Sequence, residues 1–124
     1  MILPIAYINF FIYLCVVKLK TSKDMERTEK VKEIVKSLLA NKKVSDLFFA
    51  LCDRWRDEKM YEDWNEYEKI MKKAVSENSD QVFTNFKATK RPFGLKFNYD
   101  GFEIHLFMQV IGQYATFKAK LKYC

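Results

Sequence analysis

Two tight-turn signals, Asp100-Gly101 and Gly112-Gln113, constrain this chain more than any other feature. Asp-Gly between alternating apolar runs marks a type I′ hairpin, because that turn needs positive φ at both central residues. With Asp100 and Gly101 as the loop, Tyr99 stands opposite Phe102, Phe97 opposite Ile104, Leu95 opposite Leu106 and Phe93 opposite Met108. Every one of these pairs is apolar. The reverse side pairs Asn98 with Glu103, Lys96 with His105 and Gly94 with Phe107. Gly112-Gln113 has its glycine first, the signature of a type II′ turn. That turn sets Met108 on Phe117, Leu106 on Ala119, Ile104 on Leu121 and Phe102 on Tyr123, with Gln109, Phe107, His105 and Glu103 facing Thr116, Lys118, Lys120 and Lys122 on the other side. A slip of one residue at either turn would invert the faces of the central strand. Both turns choose the same apolar side, so each tests the other.

Val82, Thr84, Phe86 and Ala88 continue the alternation backwards as a first strand, closed by Thr89-Lys90-Arg91-Pro92. The expectation is a four-stranded antiparallel meander with one dry face and one wet face.

Upstream, the period changes from 2 to 3.6. Val31, Ile34, Val35, Leu38 and Leu39 make one apolar stripe of a helix over about 22–40, with Lys and Glu alternating on its far side. Asn41 reads as a left-handed C-terminal residue, with Lys42-Lys43 complementing the helix dipole. A second helix starts near Val44 or Ser45, with Val44, Leu47, Phe48, Leu51, Cys52 and Trp55 as its stripe. That pattern breaks at 56–59, where Glu58 and Lys59 stand at stripe positions. Asp63 to Glu66 offers a capping box for a third helix from Trp64 to about Ser76. One long bent helix over 45–76 is the alternative, since no Gly or Pro intervenes. Helices with one polar side and a sheet with one dry face bury each other, which gives an α+β two-layer sandwich, helices first and strands last.

Residues 1–17 carry no charged side chain and run straight into Lys18, Lys20 and Lys23. Three readings of this leader, residues 1–21 ahead of a single domain over 22–124, stay open. As a helix, 17 residues reach roughly 25 Å, short of a hydrocarbon core of roughly 30 Å, so a membrane anchor is strained. The Ile, Val, Tyr and Phe content suits an extra strand, or a helix on the core. The third reading is that the protein starts at Met25. The domain itself is expected to be cytoplasmic, tethered only if the leader inserts.

Composition limits the chemistry. Three well-separated cysteines show no C-x-x-C spacing, and one histidine among scattered carboxylates makes no recognisable ligand set, so no metal or cofactor is expected. The three glycines are accounted for by strands and turns, leaving none for a phosphate loop. The net charge of +6 is uneven: residues 81–124 carry seven Lys and Arg against two carboxylates, while residues 1–80 carry fifteen against fourteen. The excess belongs to the sheet. Its wet face is the candidate site, with Lys87, Lys96, Lys118, Lys120 and Lys122 around Phe83, Phe107 and Tyr114, and with His105 between Lys96 and Lys120. Two flanking ammonium groups disfavour imidazolium, so His105 is expected to be neutral near pH 7.

No nucleophile is placed beside His105 by the pairing, so a non-enzymatic interaction module with a protein partner is the expected function. Basic side chains among aromatics also suit single-stranded nucleic acid, the alternative. Trp55 and Trp64, with Tyr61, form a second candidate surface, since tryptophan and tyrosine serve as interface anchors. An acidic helical side and a basic sheet side would also permit head-to-tail self-association. Small size without a catalytic constellation fits an accessory protein of a virus or mobile element.

Overall fold

The computed structural model describes residues 7–15, 22–58 and 64–123. The elements run β1 (Tyr7–Cys15), α1 (Ser22–Ala40), α2 (Lys42–Glu58), α3 (Trp64–Glu77), β2 (Thr84–Lys90), β3 (Phe93–Tyr99), β4 (Phe102–Ile111) and β5 (Tyr114–Tyr123). Five strands form one sheet in the order β1-β5-β4-β3-β2, and the three helices cover one of its faces. This is the α+β sandwich that the two periodicities imply, enlarged by β1. That strand, from the apolar leader, lies parallel to β5, with Tyr13 beside Lys120. Among the described residues no helix is long and apolar enough to cross a membrane. Lys18 and Lys20, Tyr61 and Asp63, the last expected as a capping residue, lie outside the described residues.

The registers of β3 on β4 and of β4 on β5 are those set by the two turns, pair for pair. Asp100 and Gly101 both have positive φ, 49° and 79°, as type I′ demands, while Gly112 alone does so at the second turn, with φ 60°. The shared face is dry: Leu95, Phe97, Phe102, Ile104, Leu106, Phe117 and Leu121 are fully enclosed. Val31, Val35, Leu38 and Leu39 of α1, Phe48 of α2 and Met71 of α3 close over them. Phe48 meets Phe117 at 4.8 Å between ring centroids.

The first strand of the meander departs from its expected register. Thr84 pairs with Asn98 but Lys87 pairs with Lys96, so one extra residue is inserted in β2 between them. Asn85, with φ 54°, sits in this bulge in the left-handed conformation that asparagine tolerates. The insertion inverts the parity upstream. Phe83 turns inward, 4.6 Å from Phe97, and Val82, expected to be inside, is 83% exposed. Ala88 remains on the dry side, opposite Leu95.

A second departure lies at the α1–α2 corner. Asn41 Oδ1 accepts from the Val44 N–H at 3.2 Å, and Ser45 N–H donates to the Asn41 carbonyl at 2.9 Å. Asn41 therefore caps the start of α2 rather than ending α1 in a left-handed turn, and α2 begins two residues earlier than its apolar stripe. Asn78 closes α3 by donating from Nδ2 to the Ala74 carbonyl at 2.7 Å.

The β2 edge is guarded from the helical layer. Glu68 of α3 accepts from the Ala88 backbone N–H at 2.8 Å, occupying a donor that an edge strand would otherwise offer to another chain. At the opposite corner Arg27 of α1 donates to the Asp100 carbonyl at 2.7 Å and reaches the Tyr123 hydroxyl at 3.4 Å, joining the β3–β4 turn to the end of β5. Its guanidinium pKa is raised first by the hydrogen bond that Nε donates to the Asp100 carboxylate at 3.4 Å and then by the one to Tyr123.

Candidate functional site

The outer face of the sheet is built by the residues that alternate with the core. Across four strands, Lys87, Lys96, His105 and Lys120 stand directly opposite one another in a single row. At the usual strand spacing this row spans about 14 Å. Lys122 lies one row away, opposite Glu103, and Lys118 one row the other way, opposite Phe107. Glu103 is the single carboxylate among the outward residues of β2 to β5, and it lies 3.8 Å from Lys96.

Lysines on β5 do not guard an edge, because β1 covers that side of the strand. Edge protection therefore accounts for none of Lys118, Lys120 and Lys122. Like charges facing each other across strands cost stability. Lys87 on Lys96 is such a pair.

His105 lies on this outer face, yet it is only 8% exposed. Its Nε2 is 2.9 Å from the Thr89 hydroxyl, two strands away. The strand between them carries Gly94, opposite both Thr89 and Phe107, and the missing side chain leaves room for the imidazole to cross. A Cβ on Gly94 would come 2.1 Å from the Leu106 carbonyl oxygen and 2.7 Å from Phe107 Cα, so only glycine fits there. The Thr89 hydroxyl spends its proton on the Pro92 carbonyl at 2.7 Å. It can therefore only accept from His105, which assigns the proton to Nε2 of a neutral ring. The Phe107 ring packs on the imidazole at 5.1 Å. Burial first, and then the charges of Lys96 and Lys120, lower the His105 pKa from 6.5 to about 4. The histidine holds β2 to β4. It is a joint.

Of the other residues expected on this face, Lys87 and Lys120 are exposed, Lys96 is half-buried, and Lys122 is exposed at the β1 side. Lys118 is only 9% exposed. Tyr114 is 56% exposed but sits at the β4–β5 turn, beside Ile111 at 68%. Phe83 is not on this face at all; the bulge at Asn85 has carried it into the core. Phe107 is half-buried over His105. The aromatic platform expected among the lysines is thus reduced to Tyr114 at one end.

The tryptophan pair is partly internal. Trp55 and Trp64 pack at 4.9 Å between ring centroids, and Trp64 continues onto Tyr67 and Phe93. Among the described residues, no group of three or more His, Cys, Asp and Glu is placed to hold a metal ion. Cys52 is 3% exposed, and burial pushes its thiol pKa up to about 11, against a smaller opposing effect of Arg56. It is a wall of the core and a poor nucleophile.

Compared with known protein families, with curated proteins and with solved structures, the chain matches none.

Proposed function

We propose that this protein is a non-enzymatic interaction module that docks an acidic partner protein on the outer face of its sheet. One observation carries the reading: a row of three lysines and a neutral histidine across central and edge strands, with Lys87 directly opposite Lys96 and a single carboxylate on the outward side of β2 to β5. Such a row works against the fold. Glu103, 3.8 Å from Lys96, offsets part of that cost within the sheet, and a docked anionic surface offsets more. The chemistry is charge complementarity, which governs the rate and selectivity of encounter more than raw affinity.

Single-stranded nucleic acid is the rival occupant. It would add base stacking, worth about 1–3 kcal/mol per base, to the phosphate contacts. The removal of Phe83 to the core and the engagement of Phe107 with His105 leave few of the described rings on β2 to β5 for that purpose. Fluorescence anisotropy with labelled polyglutamate and with oligothymidylate of equal charge separates the two. A charge-only face binds them within about threefold of each other, and both weaken together as salt screens the face. Lys96→Glu with Lys120→Glu abolishes both. If the oligonucleotide binds about tenfold tighter or more, stacking is present and the nucleic-acid reading replaces this one. If the reversed variant holds polyglutamate as well as the parent does, the face is not the site.

A further inference from the structure

On the helical side of the molecule, remote from the lysine row in function, a cleft of about 430 Å³ opens between the second half of α2 and the β2–β3 turn. Its floor is apolar: Trp55 from α2, Phe93 from β3, and Met108 and Val110 from β4. Cys52 completes that wall as an un-ionised thiol. Its rim is cationic. Arg56, Lys90 and Arg91 line the opening, and no carboxylate stands among the lining residues described. The ammonium of Lys90 lies 5.4 Å from the Trp64 ring centroid, on the aromatic pair that backs the cleft. Neither Arg56 nor Arg91 makes an ion pair among the described residues.

We propose that this cleft binds a small amphipathic anion, an aliphatic or aromatic body carrying one carboxylate. The volume lies toward the small end of the range for small-molecule sites, about 300–1,000 Å³, and suits a compact ligand. The floor gains by covering apolar surface. The rim offers two guanidinium groups, whose forked donors match a carboxylate in geometry as well as charge. A neutral ligand of the same body would bury the same surface and leave the rim unanswered. Cys52 takes no covalent part, since a thiol held this far from ionisation is not a nucleophile at neutral pH.

Of the two tryptophans of the chain, Trp55 lines this cleft and Trp64 packs against Trp55, so tryptophan emission reports on it. Decanoate titrated into the full chain should change that emission saturably, and decanol, with the same tail and no charge, should bind about tenfold more weakly, the loss expected for one charge-assisted contact. Arg56→Glu with Arg91→Glu, both exposed positions that leave the core untouched, should weaken decanoate about tenfold or more and leave decanol unchanged. Lys96→Glu with Lys120→Glu should not affect decanoate, which separates this site from the sheet face. The proposal is overturned if no saturable change occurs, if decanol matches decanoate, or if the doubly reversed rim binds decanoate like the parent.

Discussion

The two faces of β4 carry equally buried residues for opposite reasons. Ile104, Leu106 and Met108 are enclosed because three helices lie on them, and their partners across both strands are apolar. His105, on the other face, is enclosed with no layer of described residues above it. A phenyl ring, a neighbouring hydroxyl and a vacant glycine position do the covering. One face is held by area removed from water, the other by a specific set of contacts around a polar group. The first tolerates modest changes of shape, whereas the second depends on which atom carries the proton.

The largest contrast should come from truncating neighbours on the two faces. Leu106→Ala opens a cavity among fully buried side chains and should cost about 3 kcal/mol in urea unfolding. Phe107→Ala, half-buried, should cost about 1 kcal/mol. Equal costs would mean that the outer face is packed like the inner one, and the contrast would be lost.

A smaller effect follows from His105. Its folded pKa of about 4 lies below the 6.5 of an exposed histidine. Above pH 6.5 the ring is neutral both folded and unfolded, and the full stability is present. As pH falls from 6.5 to 4, the unfolded chain takes up a proton that the native chain refuses. Stability should then drop on the order of 2 kcal/mol across that window, after which the folded ring also titrates. Unfolding measured at pH 7 and pH 4.5, for the parent and for His105→Gln, isolates this component. A parent whose extra loss over the variant is nil would place the imidazole in water.

Much of this arrangement could be read from residue order, and the exceptions share a cause. The registers around β4 were legible because Asp100-Gly101 and Gly112-Gln113 prescribe backbone geometry, and geometry sets parity for every residue beyond. The parity of 82–84 was not, because it depends on a single left-handed residue, Asn85, inside a run that otherwise alternates. A sign of it was present: Phe83 and Phe86 are three apart, which a strict strand cannot place on one face. Asn41 illustrates the same limit. Its side chain could close one helix or open the next, and tertiary placement decided for the second. On the outer face, Lys87 stands opposite Lys96 because β2 runs on to Lys90 and the turn is Arg91-Pro92 alone, two residues shorter than Thr89-Lys90-Arg91-Pro92. The alignment of Lys96, His105 and Lys120 followed from the two glycine turns. The shielding of His105 did not, because it requires a side chain to reach across a whole strand through the space above Gly94.

The smallest effect is the most telling, since its sign is what matters. Lys87 and Lys96 face each other as like charges, which the proposed docking of an acidic partner makes a cost carried for binding. Lys87→Glu places opposite charges across the strands. Measured by urea unfolding at low salt, the variant should be more stable than the parent, by about 0.5 kcal/mol, although it would bind polyglutamate less well. A variant less stable than the parent would show that Lys87 serves the sheet itself, and the central claim would fail.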